Sequence, residues 1–203
     1  MTSNRFLISL GPSQIQGARI ALAVSMSVIV AAVAAGCSAL GPTRSAASHT
    51  PLRFSRDGVI QYRPLEGWLD VSSDSSSTDR TIWLVRADFV GTLSMREIHV
   101  DASVRTHLGM AQLVDVARLA ASLETGGRGG LLLHDPEPIR VNGKEVVAYD
   151  VDYRETGDKV RAIVLSAADR VYQVSVLVNG SAQPKTAEEI LGVLDGFVAD
   201  LRW

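Results

Sequence analysis

The chain is poor in three things: it has one cysteine in 203 residues, 5% aromatic residues, and no large excess of either charge, its formal net charge being −2. A lone cysteine excludes a disulfide scaffold and a cysteine-rich zinc fold. The lack of basic excess argues against a nucleic-acid partner, whose phosphates call for a positive face. The longest apolar run, residues 20–35, falls short of the ~20 apolar residues that cross a bilayer comfortably. Disorder is excluded from the opposite side, because 46% of the residues are hydrophobic and only 21% charged, too apolar a chain to stay unfolded.

What is present is unevenly placed. Residues 1–36 contain Arg5 and Arg19 and no acidic residue, a local charge of +2, so the other 18 basic and all 22 acidic residues leave −4 on the rest. Residues 20–35, IALAVSMSVIVAAVAA, carry no charge, follow Arg19 directly and close on small residues before Gly36 and Cys37. A positive start, a short apolar core and a small-residue exit are the marks of a secretory signal peptide. The alternative is an uncleaved membrane helix followed by an ordinary cysteine.

Ala34-Ala35-Gly36-Cys37 resembles the lipobox of bacterial lipoproteins, with Ala34 where Leu is commonest. The resemblance implies cleavage between Gly36 and Cys37, acylation of Cys37, and membrane attachment through the lipid. Two or three acyl chains, each buried CH₂ contributing ~0.8 kcal/mol, make such an anchor effectively permanent. Ser38 stands where inner-membrane retention usually uses Asp. The implied address is the cell envelope, on the outer side of the cytoplasmic membrane or on the outer membrane.

Residues 37–51 read as the lipidated cysteine and a tether, small and polar with Pro42 and Pro51. Extended, the fourteen residues after Cys37 reach about 45–50 Å. Residues 52–203 suit one domain. Strands are predicted at 59–63, 68–71, 81–89, 92–100, 139–141, 145–154, 160–166 and 171–178, with a tight Asn142-Gly143 turn. Apolar residues at three- and four-residue spacing predict a helix over 106–124, ended by Gly126 and Gly127. A second helix is predicted after a capping box at Thr186-Ala187-Glu188-Glu189, with a stripe from Ile190 to Leu201. Short turns between strands make the sheet mainly antiparallel, and the class α+β with two main helices.

Tyr62-Arg63-Pro64-Leu65-Glu66-Gly67-Trp68, Ile139-Arg140-Val141-Asn142-Gly143, the strand to Tyr153, Val171-Tyr172-Gln173-Val174 and the last helix resemble the PsbP-like superfamily. Its bacterial relatives include DcrB-type and LpqN-type lipoproteins. The resemblance implies an α/β/α sandwich and a domain that binds or helps assemble other proteins. It carries no catalytic residue.

Residues able to do chemistry are scattered. His49, His99, His107 and His134 form no His-x-x-x-His pair. A metal or small-ligand site is conceivable only if folding gathers His99, His107 or Asp150, or uses the loop with His134, Asp135 and Glu137. Gly126-Gly127-Arg128-Gly129-Gly130 follows a helix instead of preceding one, so it reads as a capping loop and not a phosphate cradle. Asp150 and Asp152 share a strand face with Arg154 and are expected to face water beside Lys159 or Arg161. Asp70, Asp74 and Asp79 lack calcium-loop spacing, and the serines lack a nucleophile elbow. Trp68 and Trp83 are expected in the core and Trp203 over its end. These readings predict an envelope lipoprotein without enzymatic activity or cofactor, bound to the membrane by its lipid and to an envelope protein. The alternative is a lipoprotein that binds a small ligand or metal.

Overall fold

The computed structural model describes residues 51–73, 80–101, 105 and 108–203. Gly36, Cys37, His49, Asp74, Asp79 and His107 lie outside the described residues. Among those described, the order is β1 (Arg53–Phe54), β2 (Gln61–Tyr62), β3 (Trp68–Asp70), β4 (Arg80–Arg86), β5 (Gly91–Ile98), α1 (Met110–Arg128), β6 (Leu131–Leu132), β7 (Glu137–Val141), β8 (Lys144–Tyr153), β9 (Asp158–Ala167), β10 (Arg170–Val178) and α2 (Pro184–Asp200). β1 and β2 pair with each other. The remaining strands form one sheet in the order β3-β4-β5-β10-β9-β8-β6, with β7 also on β8, and every pairing is antiparallel.

Alternating side chains build a core on each face. On one face, Ile82, Leu84, Leu93, Met95, Val174 and Val176 meet Ile190, Leu194, Phe197 and Val198 of α2, together with Ile60 and Tyr62. On the other, Tyr149, Val151, Val160, Ala162 and Val164 meet Leu113, Val116, Ala117, Ala120 and Ala121 of α1. Burial of each large aliphatic side chain here contributes about 1.5–3 kcal/mol. Close approach of α2 needs Gly91, where an added Cβ would sit 3.1 Å from Ile190 Cγ2. The α+β class and the two-helix sandwich are as predicted. No helix among the described residues is long and apolar enough to cross a membrane.

Both helix ends differ from expectation. α1 runs through Gly126 and Gly127 and stops at Gly129, whose φ of 66° is left-handed. Thr125 Oγ1 donates back to the carbonyls of Ala121 and Ser122, and the turn before the glycines is held down by buried Ala120 and Ala121, which outweighs the ~1 kcal/mol each glycine costs inside a helix. α2 begins at Pro184, before the expected capping box. Proline has no N–H to satisfy and its φ is already helical, so the helix starts there and Thr186 falls inside the first turn.

The far end of α2 is capped from another element. Lys144 Nζ, at the start of β8, donates to the carbonyl oxygens of Val198, Ala199 and Leu201 at 2.9, 3.0 and 2.6 Å. These are acceptors a helix end leaves open, and α2 has no basic residue of its own in its last turn. The ammonium also sits 4.6 Å from the centre of the Trp203 ring. Trp203 therefore covers Lys144 and remains 47% exposed, where a core cap was expected.

Candidate groove on the open half of the sheet

On the α1 face, three rows of side chains run across β4, β5, β10, β9 and β8. Register aligns Trp83, Ser94, Ser175, Ala162 and Tyr149 in one row, and Arg80, Arg96, Gln173, Val164 and Val147 in the next. The third row is Val85, Thr92, Leu177, Val160 and Val151. The β9 and β8 members are buried beneath α1, and those of β4 and β5 are partly exposed. The helix covers one half of the face and leaves the other as the floor of a groove of about 350 Å³. Leu123 and Glu124 of α1 form one wall, and Arg80 and Trp83 stand at the other.

A polar chain marks the seam between the halves. Arg96 Nε and Nη2 donate to Gln173 Oε1 at 3.0 and 2.7 Å, and Gln173 Nε2 donates to Glu124 Oε2 at 2.9 Å. Gln173 is only 2% exposed, and both ends of its amide are satisfied, as burial demands. Tyr149 OH lies 3.5 Å from the same Glu124 oxygen. Burial, then the Glu124 charge, pushes the Tyr149 phenol well above its ordinary range, so it stays protonated. Farther out, Ser94 and Ser175 hydroxyls lie 3.2 Å apart, and the Arg80 guanidinium sits 4.4 Å from the Trp83 ring centre.

The residues singled out from sequence fall elsewhere. His99 follows the end of β5, its side chain 88% exposed beside Glu97. Asp150 lies opposite Arg161, which aligns through Val176 with Leu93. His99 is thus six positions and three strands from Asp150, and the two do not meet. Asp150 does face Arg161 as expected but is half-buried, with Arg161 shared between it and Asp195 of α2 at 4.0 and 3.4 Å. Burial raises the Asp150 carboxyl, partly opposed by Arg161. His134, Asp135 and Glu137 are exposed, and no group of three metal-binding side chains is gathered among the described residues.

Trp68 packs against the α2-side core as expected, whereas Trp83 lines the groove under Arg80. Asp70 is structural: Tyr62 OH and Arg53 Nη1 both donate to its Oδ2 at 2.7 Å, and Ser72 donates to Oδ1. Asp57 repeats the pattern, accepting from Tyr172 OH at 2.8 Å and Ser55 Oγ, with Arg170 at 3.6 Å. Burial works against ionising both carboxyls, but these donors hold each below its ordinary range. The Tyr62 phenol is pushed up to about 12 by burial and by Asp70. The groove residues were missed although a signal existed: Thr92, Ser94 and Arg96 alternate on one parity of β5, as do Gln173 and Ser175 on β10.

No protein-family model matches the chain, and no curated protein matches its sequence. Solved structures do. The Ran-binding protein Mog1p of Saccharomyces cerevisiae superposes with a TM-score of 0.51 at 11% identity, over 75% of this chain and 94% of its own. Cyanobacterial PsbP from Synechocystis sp. PCC 6803 gives 0.50 at 12% identity, over 82% and 98%. LpqN of Mycobacterium tuberculosis, described as involved in cell envelope biogenesis, scores 0.46 at 13% identity, over 77% and 96%. The first two establish a PsbP-like fold and, at such identities, nothing of activity.

Proposed function

We propose that this chain is a lipid-anchored envelope protein whose domain binds or helps assemble a protein complex and catalyses no reaction. Residues 1–36 are the signal peptide, cleaved between Gly36 and Cys37. Cys37 carries the acyl chains, residues 37–51 form the tether, and residues 52–203 form the working domain. The apolar run 20–35, closing two positions before the only cysteine of the chain, supports the export half of this reading.

The open groove on the α1 face carries the binding half. It presents a tryptophan, two arginines and hydroxyls to an outside partner. Trp and Arg are the residue types enriched where protein interfaces concentrate their energy. The Ran-binding Mog1p supplies one case of this fold serving a protein partner. The alternative, a small-ligand or metal pocket lined by residues such as His99, His107 or Asp150, is weakened in one respect, since the register separates His99 from Asp150.

Export is tested with Cys37→Ala. The wild type is expected in the membrane fraction with acyl mass on the peptide that begins at Cys37, and the variant in the soluble fraction or as an uncleaved precursor. Unchanged membrane attachment, with no acyl mass on the wild type, would sink the lipoprotein reading. Photocrosslinking from several surface positions in native membranes tests binding. No protein crosslinked from any of them means the domain has no protein partner.

A further inference from the structure

We propose that the groove seats an acidic, partly apolar segment of a partner polypeptide, its carboxylates held by Arg80 and Arg96 and its apolar side chains by Trp83 and the flank of α1. This rests on the protein-binding reading above and adds the chemistry of the partner.

Five arginines are half-buried among the described residues: Arg80, Arg86, Arg96, Arg161 and Arg170. Three of them have a carboxylate partner, Asp88 for Arg86, Asp195 for Arg161 and Glu97 for Arg170. The other two, Arg80 and Arg96, face each other directly across β4 and β5. Like charges in that position repel, and no described carboxylate answers either one. The Gln173 amide fixes the Arg96 guanidinium without neutralising it. The Arg80 guanidinium carbon lies 4.4 Å from the centre of the Trp83 ring, a cation–π contact that positions the cation without neutralising it. Among the described residues, both cations are therefore positioned and have no carboxylate partner. Glu124, the acidic residue of the lining, is occupied by Gln173 and Tyr149.

The shape and flanks favour a polypeptide over a small anion. Small-ligand sites usually enclose most of their ligand, whereas this groove lies open along the sheet face. Its α1 wall carries Leu123, 68% exposed, and one turn earlier on the same flank Leu119, 59% exposed. Exposed leucines beside two neighbouring cations and a tryptophan match a segment that mixes Asp or Glu with apolar residues.

The full chain in native membranes, with a photocrosslinking amino acid at Thr92, tests this. The crosslinked peptide is expected to be rich in Asp and Glu with apolar neighbours. Arg80→Glu is expected to lower the crosslinking yield at least tenfold and Arg80→Lys far less, with the thermal melts of all three proteins alike. A synthetic peptide of the captured sequence, titrated into the full chain in detergent micelles, is expected to bind at least tenfold more tightly than its Asn/Gln counterpart. A neutral or basic captured peptide, or a yield indifferent to Arg80→Glu, overturns the proposal. So does a Thr92 position that captures nothing while other positions capture protein, and in each of these cases the binding function stands. Citrate binding that Arg80→Glu abolishes, with no peptide captured at Thr92, makes the groove a small-anion site and also overturns it.

Discussion

On the α2 face of the sheet, β4, β5, β10, β9 and β8 all bury apolar side chains under α2 and the segment around Ile60 and Tyr62. On the α1 face, burial is concentrated under the helix, on β8 and β9 with Val171 of β10, while β4 and β5 stay partly open. The strands obey the same alternation on both sides, so the difference comes from the number of covering elements. Among the described residues, two covers close one face and a single helix closes half of the other. An antiparallel sheet tolerates this, because one face can be solvated if its side chains are polar. The open half is polar where it has to be, at Thr92, Ser94, Arg96 and Ser175. It is also more than a solvated surface, because it holds two positioned cations and a tryptophan.

The sharpest way to break the comparison is to place one residue type on both sides of the seam. Ala162 and Ser175 are direct partners on adjacent strands and point to the same side, but Ala162 is fully buried beneath α1 and Ser175 is not. Ala162→Arg forces an unpaired charge into the covered half, a penalty of several kcal/mol against a total stability of about 5–15 kcal/mol. That variant is expected not to fold cooperatively by circular dichroism melting. Ser175→Arg is expected to fold, with stability within about 1 kcal/mol of wild type. Equal tolerance at the two positions would mean that α1 does not cover β9.

The two halves were unequally legible. Strand periodicity, the Asn142-Gly143 turn and the stripe of α2 were readable because each depends on a local rule, and the left-handed φ values of 48° and 80° at that turn confirm the rule at work. The turn at Ala168-Asp169 uses the same left-handed geometry, φ 47° and 61°, without a glycine or asparagine to announce it. The end of α1 was misplaced because Gly126 and Gly127 look like a stop until the packing of the preceding turn is known. The groove depends on which strands neighbour which, and β5 lies beside β10, far away in the chain. No local pattern in the sequence joins Arg96, or its hairpin partner Arg80, to Gln173.

Gln173 tests the seam itself. Gln173→Ala removes both the acceptor of Arg96 and the donor to Glu124 and leaves a cation facing a carboxylate across a gap. The expected cost is about 1–3 kcal/mol, read as a lower urea midpoint with unchanged slope. Gln173→Glu would instead let Arg96 form an ion pair while setting two carboxylates side by side. It is expected to weaken binding of an acidic partner more than it weakens the fold.

The closed face carries an acid-sensitive lock. Asp57 and Asp70 both have folded-state values lowered from the ordinary 3.8. Carboxyls shifted in that direction add stability that is present above the unfolded value and is lost as pH falls through the folded one. The contribution of these two carboxyls is therefore expected to be level above about pH 5 and to drop below about pH 4. Tyr172→Phe removes one donor to Asp57 and is expected to shrink the acid-dependent part of the melting curve. An acid limb unchanged in Tyr172→Phe and in Asp70→Asn would show that these clusters do not set it.

The smallest effect isolates binding from folding. The Ser94 and Ser175 hydroxyls bond each other at 3.2 Å in the partly exposed row, where water can replace whatever is removed. Replacing both by alanine deletes donor and acceptor together, and so leaves no buried polar group unpaired. The expected change in stability is within about 0.5 kcal/mol. Any loss of crosslinking from Thr92 in that double variant is then a loss of contacts to the partner, because the sheet beneath is intact. If the double variant melts earlier by several degrees instead, the row supports the fold, and the open half is held by its own side chains as firmly as the covered half is held by α1.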